Sequence, residues 1–109
     1  MENTKQALQR IQFDRQHIQR LREIMTNMQP TAAAHVRAEI AELEAAVTRR
    51  IHLIKSMENW KYALILMLIY VDGKTLSEAA HAMHYTYKHA CKLHTEALRV
   101  IGAEIEESG

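Results

Sequence analysis

LSEAAHAMHYTYKHACKLH, residues 76–94, carries four histidines, two tyrosines, two lysines and the chain's one cysteine within nineteen positions. Helix starts and stops divide it. Thr75 or Ser77 can cap a short helix ending near Met83, and Thr86 can cap a longer one running to about Ile101. Only His84, Tyr85 and Thr86 stand between them, too few for an antiparallel pair and suited to a steep crossing, which predicts a helix-turn-helix. Ala79 and Ala80 are small where the two helices must approach, Met83 and Tyr85 flank the turn, and Ala90, Leu93 and Ala97 form the inward stripe of the longer helix. The turn position that most often holds glycine is His84 here, so a side chain is expected where the backbone needs a positive φ.

With that stripe facing inward, 100° per residue turns Lys88, Lys92, Thr95 and Arg99 outward, with Cys91 at their edge. Thr86 and Tyr87 lie at the start of the same helix, where a recognition helix meets bases and phosphates, and Ser77 lies in the first turn of the helix before it. Lys and Arg suit phosphate or guanine, while Thr, Ser and Tyr add hydrogen bonds or contact a thymine methyl. The candidate DNA contacts are therefore Ser77, Thr86, Tyr87, Lys88, Lys92, Thr95 and Arg99. The competing reading is a solvated or protein-binding helix face.

The histidines do not converge in this scheme. The turn parts His81 and His84 from His89, Cys91 and His94, and the latter three point in different directions around one helix, whereas zinc needs about four ligands meeting near 2 Å. Neither a glycine-rich phosphate loop nor an HExxH or GxSxG motif is present, and Cys91 with His94 three residues on has no third group to orient it. No metal, cofactor, catalytic residue or small-molecule substrate is expected.

Farther from this stretch, 109 residues allow one compact domain or a small domain with an extended arm. Three Gly and one Pro among many Ala, Leu, Met, Gln, Arg and Glu predict an all-α chain. Fourteen Lys and Arg against thirteen Asp and Glu give no global field, so a polyanionic partner must be met by a local patch. A single cysteine and an N-terminus without an apolar run predict a reducing cytoplasm. The longest apolar run, Ala63 to Val71, is too short to cross a bilayer, which needs about 20 helical residues.

Leu8, Ile11, Ile18, Leu21, Met25 and Met28 form one stripe over about Thr4 to Asn27, and Val36, Ile40, Leu43, Val47, Ile54 and Met57 form another, interrupted by Arg50. Pro30 divides the two, with Thr31 as the expected N-cap of the second. Two seamed helices joined by a short turn predict an antiparallel, coiled-coil-like hairpin over residues 1–55 whose spare face packs on a second copy, supporting homodimerisation, or on the C-terminal part. A third helix, Ser56 to Tyr70 with Trp60, Leu64 and Met67, is expected at the centre of a C-terminal domain over residues 56–102, closed by Asp72-Gly73. Residues 103–109 read as an acidic, frayed tail.

Trp60 to Ile101 resembles the sigma-factor region-four-like proteins of bacteriophages and prophages, the RinA and ArpU type of late-gene transcriptional regulators. The resemblance is carried by Tyr70-Val71-Asp72-Gly73-Lys74, by Leu76-Ser77-Glu78 followed by Ala79-Ala80, by the turn tyrosine Tyr85, and by Lys92-Leu93-His94 with Ala97-Leu98. It covers about 42 residues closely and the remainder by architecture. It implies sequence-specific binding of double-stranded DNA through the fifth helix, control of phage transcription in a bacterial cytoplasm, and contact with RNA polymerase. The rival is a protein-interaction module gripping the polymerase or a host regulator, favoured by the near-neutral stretch from Glu58 to Ile101, where five Lys or Arg face four Asp or Glu. A purely structural adaptor acting through the hairpin is the third reading.

Overall fold

The computed structural model describes residues 3–108, with side chains through Glu106. The described residues contain helices and no strand: α1 (Thr4–Met25), α2 (Pro30–Lys55), α3 (Trp60–Leu66) continued by a π-helical turn (Met67–Val71), α4 (Leu76–Met83) and α5 (Tyr87–Ser108). No helix among them is long and apolar enough to cross a membrane.

The start of α1 is fixed by a reciprocal cap, in which the Asn3 side chain accepts from the Gln6 amide and Gln6 reaches back to the Asn3 amide. Proline sets the start of α2 directly. Pro30 is its first residue and Gln29 precedes it as the N-cap, in place of the expected Thr31, because proline's fixed φ and missing amide suit the first helical turn. The two helices run in opposite directions: Asp14 meets Arg50 at 3.1 Å and, farther along α1, Arg22 meets the earlier Glu44 at 2.9 Å. Arg50, which breaks the apolar seam of α2, is thus matched by an acid in the seam of α1. Asp14 is only 2% exposed.

Leu8, Ile11, Ile40, Ile54, Ile65, Leu66, Tyr70, Ala79, Ala90, Ala97 and Ile101 belong to one continuous core, so both halves of the chain are packed together. Two further features hold them. After Leu66 the helix widens, the Asp72 amide reaching five residues back to the Met67 carbonyl at 2.9 Å. The carbonyls of Tyr70 and Val71 are then capped from α1, by the Gln12 side-chain amide on both and by Arg15 on Val71 at 3.0 Å. Toward the C-terminal end of α5, a Cβ on Gly102 would lie 2.7 Å from Thr4 Oγ1, so any larger residue there would force the Thr4 side chain to move.

Trp60 departs from the sequence reading. It is 64% exposed, with the Lys61 ammonium 5.8 Å from its ring centre, and Leu64 one turn on is also exposed, while Ile65, Leu66, Tyr70 and Val71 fill the core. The segment is apolar all round, so periodicity could not select its inner face. The helix also begins at Trp60, capped by Asn59, and not at Ser56. The fifth helix continues to Ser108, past the expected end near Ile101, because Ile105 still packs against the core. Gly109, the last residue of the acidic tail, lies outside the described residues.

Candidate nucleic-acid interface

α4 opens with a second capping box, Thr75 with Glu78: the Thr75 hydroxyl accepts from the Glu78 amide and the carboxylate accepts from the Thr75 amide. The Thr75 amide, and after it the Thr75 hydroxyl, hold the Glu78 carboxyl below the usual range. The helix ends at His84, whose φ of 61° and ψ of 36° are left-handed. The Tyr85 amide then donates to the Ala80 carbonyl at 2.9 Å and the His84 amide to His81 at 3.1 Å, the bonding of a glycine-type helix end. A histidine therefore occupies the glycine position with the geometry glycine would take. His84→Gly should stabilise the fold by about 0.5–1 kcal/mol and His84→Val should cost about 1–2 kcal/mol, read from urea unfolding.

Beyond the turn, Thr86 caps α5 by accepting from the His89 amide at 3.1 Å. Ala90, Ala97 and Ile101 are fully buried and Leu93 nearly so, which fixes the rotation of the helix. Lys88, Lys92, Thr95 and Arg99 are all exposed on the opposite side. Tyr87, 57% exposed, begins a neighbouring column that passes Cys91 to Thr95 at intervals of four. Its phenol is pushed up by hydrogen bonding to the Cys91 thiol, and the Thr95 hydroxyl donates to the Cys91 carbonyl at 3.0 Å. Thr95 thus keeps only its acceptor lone pairs for a ligand in this rotamer. Ser77 is exposed on α4. Six of the seven candidate residues share α5 or its cap, and Ser77 stands apart on the preceding helix.

Sequence reasoning missed how this helix is tied at its sides. The Tyr62 hydroxyl donates to Glu96 at 3.1 Å, anchoring an acidic residue of α5 to α3. His89 stacks on Tyr85 with ring centres 4.2 Å apart and 15° between planes, which braces the turn against the first coil of α5. His94 stacks on Tyr70, its Nε2 2.7 Å from the phenolic oxygen. The tyrosines at positions 62, 70 and 85 were the available signal, since each needs a polar partner when its ring is covered. His89 and His94 are thus engaged with different rings, and the described residues contain no group of three or more His, Cys, Asp or Glu able to hold a metal ion.

No family model, curated protein or solved structure matches this chain.

Burial pushes the Tyr70 phenol up to about 12 and pulls the His94 imidazole below its ordinary value, with the Lys5 charge adding to the second shift. Both shifts favour neutral partners, so the phenol and the imidazole share one hydrogen bond between uncharged groups, its direction set by the imidazole tautomer. The depressed histidine sets the sign of a pH effect. An unfolded imidazole takes its proton near pH 6.5 while the folded one resists, so stability from the neutral ring is present above that pH and is lost as pH falls through the lower folded value. Tm should therefore drop between pH 7 and 5, and His94→Gln should reduce that drop. Differential scanning calorimetry across this range is the check.

Proposed function

We propose that the chain is a sequence-specific DNA-binding transcriptional regulator of the RinA and ArpU phage type, a homodimer whose α4 and α5 form a sigma region-four-like helix-turn-helix. The observation that supports this most is the left-handed turn at His84, which joins two capped helices across three residues and leaves a cationic face on the second. α5 enters the major groove. Lys88, Lys92 and Arg99 engage phosphates or guanines, and Ser77, Thr86, Tyr87 and Thr95 supply hydrogen bonds or apolar contact. No catalytic step is involved.

Three phosphate contacts per subunit give a dimer a slope of about −5 in log affinity against log salt, so binding weakens about a thousandfold from 50 to 200 mM. Selection of bound duplexes from a random pool, followed by anisotropy at several salt concentrations, tests both specificity and slope. Failure to enrich any sequence sinks the reading.

A second reading is favoured by Trp60 and Leu64, exposed one turn apart on α3 beside Lys61. An uncovered tryptophan with an aliphatic neighbour suits a protein partner, here RNA polymerase or a host regulator. Capture of the polymerase that is lost on Trp60→Ala, with no DNA shift by the intact chain, would favour it over the first.

A further inference from the structure

The α1–α2 pair has a second seam, away from α3 and the π-helical turn, that forms an open cleft among the described residues. Arg10 and Asp14 lie two residues either side of Gln12, hence on the side of α1 turned away from the capped π-helical turn. With Glu39, Leu43, Ala46 and Arg49 of α2 they line a cleft of about 560 Å³. Asp14 is almost completely buried in its wall, yet only one of its carboxylate oxygens has a donor, Arg50, and Oδ1 has none among the described residues. An oxygen of that kind is costly unless something brings it a hydrogen bond. Phe13 and Ile24, eleven residues and therefore three turns apart, share one edge of α1 and are 64% and 47% exposed, Phe13 lining a separate hollow with Arg10.

We infer that a second copy of this chain docks antiparallel on this seam, making a four-helix bundle of two α1–α2 pairs. The inference sharpens the homodimer in the reading above and is independent of DNA. Three features select a second copy as the occupant. The seam is polarised, with Arg49 toward its open end and Glu39 and Glu42 two to three turns nearer the connection between α1 and α2, so a reversed copy sets Arg49 against Glu42. The apolar edges are self-complementary in the same sense, Phe13 of each copy covering Ile24 of the other. The dimensions also suffice: a strip as long as α1, about 33 Å, and two helix diameters wide, about 20 Å, gives roughly 650 Å² per copy, near the lower end of stable interfaces.

Light scattering on the full chain without DNA tests this. At about 50 μM, far above a typical homodimer constant, the mass should be twice 12.6 kDa. Phe13→Glu with Ile24→Glu should return it to 12.6 kDa with the helical circular dichroism unchanged, because both side chains are exposed in the single chain. Charge exchange tests the direction of packing. Glu42→Arg or Arg49→Glu alone should weaken the dimer about tenfold, and the two together should restore it, since each then meets its opposite on the other copy. A monomeric native chain overturns the homodimer as well as this face. A dimer that survives the Phe13 and Ile24 changes, or charge changes that do not rescue one another, overturns the face alone.

Discussion

Lys88→Glu combined with Lys92→Glu should reduce DNA affinity at least a thousandfold at about 100 mM salt and flatten the salt dependence by about 4 in slope. Each substitution removes one released counterion per subunit and adds a charge that repels phosphate, and a dimer carries each twice. The fold should be indifferent, because both side chains are exposed on the far side of α5 from Ala90 and Ala97. Neutral Lys88→Gln with Lys92→Gln should fall between. Anisotropy against the selected duplex at four salt concentrations gives affinity and slope together. Unchanged values of both with intact helicity would remove α5 as the reading element, and lost binding with lost helicity would be answered by the neutral pair.

The second large effect is on stability. Arg50→Ala should cost about 3 kcal/mol, because it strands a carboxylate that is buried and has no other donor among the described residues. Asp14→Ala should cost less, since Arg50 is about a quarter exposed and can turn toward water. Replacing both, as Asp14→Leu with Arg50→Met, should recover most of the loss, an apolar pair of similar volume being at least as good as a buried ion pair in this setting. Urea unfolding followed by circular dichroism completes the double-mutant cycle, and a cost for Arg50→Ala no greater than for an exposed substitution would refute the pairing.

The parts of this molecule legible in its sequence are those governed by local rules. Caps at Thr75 and Thr86, the break at Pro30, the small residues at 79, 80, 90 and 97 and the demand on His84 all follow from backbone chemistry within a few residues, and the turn has the geometry those residues call for. The inner face of α3 was not legible, because an apolar run offers no contrast by which to orient it, and Trp60 was placed in the core with the rest of that run. Nor was the Asp14–Arg50 pair, although its signal was present: an acid at the seam spacing of α1 and a base at that of α2 is what two opposed helices need. Among the site residues, exposure of the α5 cations was readable from the inward alanines. The engagement of Thr95 with the Cys91 carbonyl, and of Glu96 with Tyr62, depends on rotamers and on a helix more than thirty residues earlier.

The hold of Gln12 and Arg15 on the carbonyls at Tyr70 and Val71 bears on modularity. These bonds join positions 56 to 59 residues apart, so the widened turn acquires its caps only after the chain has closed on itself. A fragment beginning at Ser56 would lack the groups that satisfy it, and would also lose Leu8 and Ile11 from the shared core. The helices that present α5 are accordingly not a portable cassette to be grafted onto another dimerisation arm; the arm is a structural half of the same cooperative unit.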